Sequence, residues 1–172
     1  MTAATFTVHP SPVGDILLVL TEAGLVTVHV LGEDERELDE QLAQLTVALR
    51  AFPERDDAPA DEARRQLDAY FERDRRQFDL PLDWRLAHGF SRDALEAVQR
   101  IPYAQTAGYG EVAVMAGIPR AARAVGNACA RSPFSIVVPV HRVVRADGSI
   151  GGYGGRAEVK RHLLDHERGA DV

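Results

Sequence analysis

The pattern of the chain changes halfway along, and that change limits the folds open to it. Residues 5–30 hold three short strand-like runs, Thr5 to His9, Ile16 to Leu20 and Leu25 to Val30. Ser11-Pro12-Val13-Gly14 and Glu22-Ala23-Gly24 break them, and these are the residue types that make turns. After Glu33, Leu38, Leu42, Leu45 and Leu49 recur at spacings of three and four, the period of an amphipathic helix. Pro53 to Pro59, with Asp56 and Asp57, predicts a loop, and Leu67, Tyr70 and Phe71 mark one face of a second helix. Asp79-Leu80-Pro81-Leu82-Asp83-Trp84 reads as extended, and beyond it the pattern is helical. The chain of 172 residues is therefore predicted to be α/β, with a small sheet-plus-helix unit over residues 1–85 and a helical unit over 86–172.

Composition removes several classes of function. The apolar fraction of 45% supports a packed core, yet no stretch reaches the roughly 18–20 apolar residues of a membrane span. Met1 to Thr5 lacks a basic and apolar signal region, so a cytoplasmic location, with no membrane partner, is the expectation. Cys129 is the single cysteine, which excludes an internal disulfide and a multi-cysteine zinc site. His162 and His166 are four apart, but His-Leu-Leu-Asp-His lacks the glutamate of the zinc-protease helix. A solvated helix face is expected there, with no metal and no cofactor.

The net charge of −6 is unevenly spread. Residues 1–87 carry 9 basic and 18 acidic side chains, whereas residues 88–172 carry 11 basic and 8 acidic ones. A mildly basic back half permits contact with phosphate without establishing it. Within that half, Ser91 is placed to N-cap a helix carrying Leu95 and Val98, closed by Ile101-Pro102-Tyr103. Glu111 to Gly117 followed by Pro119 to Ala130 has helix-turn-helix grammar, with Pro119 suited to a helix start.

More specific strings follow one another in this half: Ile101-Pro102-Tyr103, Tyr109-Gly110-Glu111-Val112-Ala113, Ala121-Ala122-Arg123-Ala124-Val125-Gly126, Pro139-Val140-His141-Arg142-Val143-Val144 and Gly151-Gly152-Tyr153-Gly154-Gly155. Lys160-Arg161-His162-Leu163-Leu164-Asp165-His166-Glu167 completes the series. Their order and spacing resemble the O6-alkylguanine-DNA alkyltransferases. The front half resembles the N-terminal domain of that family through Ser11-Pro12-Val13-Gly14 and Tyr70-Phe71 with Phe78-Asp79-Leu80. The resemblance implies an RNase H-like N-terminal domain followed by a helical DNA-binding domain with a helix-turn-helix.

It also implies roles for individual residues. Arg123 would enter the duplex and fill the space of a nucleotide rotated out of it, a planar guanidinium replacing part of the lost stacking. Tyr109 would press on the phosphate of that nucleotide, and Ala121, Ala124 and Gly126 would lie with Arg123 against DNA. Tyr109, Pro139, Val140, Val143, Tyr153 and Gly154 would form the alkylguanine pocket. His141 and Glu167 match the pair that activates the nucleophile in active relatives, a carboxylate orienting an imidazole. Gly108 and Ser132 depart from the family pattern, which commonly has Ser and Asn at these positions.

Val140 is the decisive departure, because active members carry the nucleophilic cysteine there. Valine has no atom that can accept an alkyl group. Two methyls would also dry the space in which a water could attack, which argues against a hydrolase. The catalytic assignment is therefore none, with Val140, His141 and Glu167 as a degenerate site. The chain is most similar to the alkyltransferase-like proteins, which usually have Trp here and often lack a substantial N-terminal domain. That resemblance implies a monomeric, nucleoid-associated sensor that flips O6-alkylguanine out of double-stranded DNA and flags it for nucleotide excision repair proteins. Two alternatives stand beside it: a methylated-DNA–protein-cysteine methyltransferase with an engineered Val in place of Cys, and a DNA-binding or interaction module without lesion specificity.

Overall fold

The computed structural model describes residues 3–169. The chain divides between Leu86 and Ala87 into two compact units, in a mixed α/β architecture with an N-terminal sheet unit and a helical C-terminal unit. No helix among the described residues is long and apolar enough to cross a membrane.

In the first unit the three strand-like runs form β1 (Thr5–His9), β2 (Ile16–Thr21) and β3 (Gly24–Val30), an antiparallel meander. Gly24 opens β3 at a φ of +130°, and a Cβ there would come within 2.2 Å of the Pro81 carbonyl oxygen, so only glycine fits. Helix α1 (Glu37–Leu49) lays Leu42, Leu45 and Leu49 onto Phe6, Leu17, Val19 and Val26 of the sheet. These are the leucines whose spacing marks the helix in the sequence. Helix α2 (Asp61–Phe71) buries Leu67 and Tyr70, while Phe71 remains partly exposed. The amide of Gln66 on α2 pairs with both backbone groups of Asp79, at 3.0 and 2.8 Å, and so fixes the extended segment that follows.

One expectation for this unit needs correcting. The segment from Pro53 to Pro59 is not wholly loop, because Glu54–Arg55 forms β4, parallel to β1, and Ala58–Ala60 makes one 3-10 turn. The amides of Glu54 and Asp56 donate to the carbonyls of Ala4 and Phe6 at 2.9 and 3.1 Å. A free edge of β1 supplied those acceptors, and unpaired edge groups are costly to leave open. The sheet order is thus β3-β2-β1-β4.

In the second unit α3 (Gly89–Val98) packs on α4 (Tyr109–Met115) and α5 (Ala122–Ala130), burying Leu95, Val98, Val112, Ala113 and Val125. Ser91 is not the cap of α3: the helix begins at Gly89, whose φ of +53° turns the chain two residues earlier. Nor does Pro119 start α5. Gly117, at φ +87°, ends α4 in a left-handed turn, with Ile118 N–H donating to the Ala113 carbonyl and Gly117 N–H to that of Val114. Pro119 then occupies the second position of a tight turn closed by Ala121 N–H on the Ile118 carbonyl, where its fixed φ is favoured. Two-residue strands β5 (Ala107–Gly108) and β6 (Val143–Val144) pair in parallel and bring the start of α4 beside the 3-10 turn Val140–Arg142. Helix α6 (Ala157–Glu167) packs against that turn.

Candidate functional site

The run Phe134 to Val144 is the spine of the site and is almost wholly buried. Ser132 accepts a 3.2 Å hydrogen bond from Phe134 N–H, a short side-chain turn that starts the run after α5. Ile136 sits at φ +69°, a costly conformation for a β-branched residue. Val140 opens the 3-10 turn after Pro139, and only 4% of its surface is exposed.

Beneath Val140 lies a closed polar network. The buried Glu167 carboxylate accepts from His141 Nε2 at 2.7 Å and from Arg142 Nε and Nη2, each at 2.9 Å. Ala104 N–H adds a fourth bond at 3.2 Å, and Arg142 Nη1 donates to the Ile101 carbonyl at 2.7 Å. The guanidinium also lies over the Tyr103 ring, 5.6 Å from its centroid. Despite burial, which opposes the charge, hydrogen bonds from His141 and Arg142 hold Glu167 well below the usual carboxylate range. Burial outweighs the carboxylate at His141 and lowers its pKa, so the ring is neutral at pH 7. With the Nε2 proton given to Glu167, Nδ1 is left as a lone pair with no partner. The ring thus keeps a basic nitrogen without a hydrogen-bond partner among the described residues, and valine at position 140 offers it no acidic proton.

Above the turn is a cavity of about 330 Å³. Tyr109, Val140, Tyr153 and Gly154 line it, as the resemblance implies, together with Gly126, which the resemblance sets against DNA, and with Cys129, Ala130, Gly152 and Gly155. Tyr109, the first residue of α4, is half-buried, and burial raises its phenol pKa. Its ring carbons lie 3.9 Å from the position a Cβ on Gly126 would take. The Tyr153 hydroxyl is buried beside Ser135 and the Ile136 backbone without a well-formed hydrogen bond, and its pKa is pushed up to about 12. Lys160 on α6 donates to the Val143 carbonyl at 2.6 Å and reaches the Gly152 carbonyl at 3.5 Å, tying the glycine loop to β6. Burial brings that ammonium down to about 8.

Pro139 and Val143 do not line the cavity. Val143 is fully buried because its pairing with Ala107 in β5 turns it into the core, and Pro139 is buried at the start of the turn. Arg123 is exposed on the first turn of α5, with Ala121 and Ala124 half-buried beside it. Gly108 lies just before α4, its N–H held by Glu111 at 3.2 Å. His166 is buried rather than solvated. Cys129, read in the sequence as a small apolar helix position, also lines the cavity, because Gly126, Cys129 and Ala130 stand one helical turn apart and share a face. Burial raises its thiol to about 12, so little thiolate exists at neutral pH.

The comparisons with known proteins agree with this architecture. Residues 5–84 match the family model of the 6-O-methylguanine DNA methyltransferase ribonuclease-like domain, and residues 89–169 that of its DNA binding domain. A methylated-DNA–protein-cysteine methyltransferase from Methanosarcina acetivorans is 36% identical over 163 residues, spanning 94% of this chain and 97% of the relative. One from Mycolicibacterium paratuberculosis is 48% identical over 103 residues, which is 60% of this chain and 62% of the relative's length. The crystal structure of Mycobacterium tuberculosis O6-methylguanine methyltransferase superposes with a TM-score of 0.81 at 32% identity, over 98% of this chain and 95% of that one. The M. tuberculosis protein solved in complex with DNA gives 0.78 at 33% identity, over 97% and 93%. On sequence and fold, the chain belongs to the O6-methylguanine-DNA methyltransferase family.

Proposed function

We propose that this protein binds O6-alkylguanine in double-stranded DNA and does not transfer the alkyl group. The observation that carries the reading is the cavity itself: Tyr109, Tyr153 and the glycine loop enclose it, while the wall that should present a nucleophile presents Val140. DNA binding is supported by the family and by the M. tuberculosis relative solved with DNA. Arg123, exposed on α5, is the residue to take the place of a rotated nucleotide, with Ala121, Ala124 and Gly126 against the backbone. Pairing of α4 and α5 as a helix-turn-helix suits docking in a groove.

Cys129 also faces the cavity, but its raised pKa disfavours it as a replacement acceptor. Without transfer, the bound complex would serve as a mark for another repair pathway, with nucleotide excision repair proteins as the expected partners of a monomeric sensor. Binding to matched duplexes containing guanine or O6-methylguanine, across several salt concentrations, tests the reading. Preference for the lesion, with an unchanged intact protein mass after incubation, is the expected result. Equal affinity for both duplexes would refute lesion recognition, and a protein heavier by one methyl group would refute the absence of transfer.

A further inference from the structure

The first unit carries a surface that its own core does not use. On α1, Leu42, Leu45 and Leu49 are buried against the sheet. The opposite stripe, at spacings of three and four, runs through Glu40, Ala43, Gln44, Val47 and Ala48, all of them exposed. On a surface helix this outer face is ordinarily charged. Here Arg50 is the only charged residue between Glu40 and Glu54, in a chain that is 27% charged. Val47 is 80% exposed and Phe52, just past the helix, is 64% exposed, more than any other large apolar side chain among the described residues. Single apolar residues on a surface are ordinary, but a charge-free helix face that runs on to an exposed phenylalanine is a patch of the kind that marks a protein contact.

The other end of the same helix is acidic. Glu37 is engaged by His29 Nε2 at 2.7 Å and by the Gly32 N–H at 2.5 Å, and Asp34 accepts from the Arg36 N–H at 3.0 Å. Glu33, Glu35, Asp39 and Glu40 are exposed and form no ion pair among the described residues. Over the ~20 Å that 13 helical residues span, the surface passes from uncompensated negative charge to exposed apolar side chains. That gradient disfavours nucleic acid, whose phosphates the acids repel. It complements an amphipathic helix with an apolar stripe and lysines or arginines at one end. The chain has a second exposed apolar patch, Val114, Met115 and Ile118 beside Arg120, but this belongs to the helix-turn-helix that the reading above gives to DNA. The occupant of α1 is therefore a different protein rather than a second copy.

We propose that the outer face of α1, with Phe52, docks a basic amphipathic helix of another protein, Val47 and Phe52 acting as apolar anchors and the acidic end selecting the basic residues. The proposal goes beyond the lesion-binding reading and stands on different residues. A protein that leaves the alkyl group in place has use for such a contact, yet the docking surface itself does not require the cavity.

The probe is a fluorescent synthetic helix of about 18 residues, with a leucine stripe and lysines at one end, titrated with the full chain. A second peptide carries glutamates in place of the lysines. The lysine peptide should bind at least about tenfold more tightly than the glutamate one, and more weakly as salt is raised. Val47→Gln and Phe52→Ala should each weaken binding about tenfold, the loss expected of an anchor residue, without moving the thermal midpoint, because both side chains are exposed. Joint Asp39→Lys and Glu40→Lys should erase the preference between the peptides, and Val114→Gln should bind as the wild type does. No binding, equal binding of both peptides, or a loss in Val114→Gln but not in Val47→Gln would overturn the proposal. So would a concentration-dependent dimer in sedimentation that Val47→Gln abolishes, since a second copy would then cover the patch. Duplex binding, measured alongside, should be unchanged in Val47→Gln and Phe52→Ala. A wild-type protein that shows no lesion preference but still binds the lysine peptide would refute the lesion reading and support this one.

Discussion

Replacing Glu167 with Gln keeps the shape of the side chain and removes its charge. The carboxylate holds four hydrogen bonds, two of them the parallel pair from Arg142, and both side chains are under a tenth exposed. The variant leaves the Arg142 guanidinium buried with the Ile101 carbonyl as a partner but no counter-ion. Breaking one side of a buried ion pair costs about 3–5 kcal/mol, because the remaining charge stays desolvated and uncompensated. For a chain of this size each kcal/mol moves the midpoint by about 2–4 °C, so a fall of about 6–20 °C is expected. Thermal and urea denaturation followed by circular dichroism would measure it. Adding Arg142→Met should recover part of the loss, since the orphaned charge is then gone. If Glu167→Gln costs less than about 1 kcal/mol, or the double variant loses the sum of both single losses, the network is not what holds the Val140 turn.

Other outcomes follow from the same geometry. The folded state lowers the pKa of both His141 and Glu167, so each disfavours the protonated form relative to the unfolded chain. Their contributions are fully present at pH 7, with His141's being lost as pH falls below its unfolded value of 6.5 and that of Glu167 below 4.5. Denaturation across this range should show two windows of declining stability, and a curve flat down to pH 4.5 would refute the assignment for His141. Val140→Cys should gain methyl from an O6-methylguanine duplex, read by intact mass, because His141 Nδ1 is an unpartnered base. Adding His141→Gln should slow that transfer by about 10²–10⁴-fold, and equal rates would show that the imidazole is idle. Val140→Trp should narrow the cavity, sparing affinity for O6-methylguanine while weakening binding of bulkier O6-adducts. Absence of any size dependence in either protein would refute that account of residue 140.

The first unit was legible wherever periodicity met burial. Leu42, Leu45 and Leu49 announce α1 by spacing alone, and they are the residues it buries. The parallel strand Glu54–Arg55 was not legible, because two exposed charged residues carry no apolar pattern and pair only through backbone groups that β1 leaves open. Ser91 and Pro119 misled for a related reason. Both residue types have strong local preferences, but glycines at positive φ, Gly89 and Gly117, set the helix ends instead. At the site, the linear strings pointed to Val140, Tyr109 and Tyr153. They did not reveal that Arg142 and Lys160 would turn inward, since buried cations are rare and their partners lie 25 and 17 residues away in the chain. The resemblance also placed Pro139 and Val143 in the pocket, but Pro139 is buried before the 3-10 turn and Val143 is buried in β6, paired with Ala107.

The two methyls of Val140 also alter the accounting of repair. A protein that accepts an alkyl group is consumed with each lesion, so its capacity is set by the number of molecules present. On the proposed reading, a cavity walled by valine would release its ligand unchanged, and one molecule could visit many lesions in turn. Its output is then a dwell time: occupancy depends on the ratio of lesion concentration to dissociation constant, and the signal lasts as long as the complex does. For such a protein, tighter binding is not uniformly better. A complex too long-lived would shield the damage from whatever must remove it.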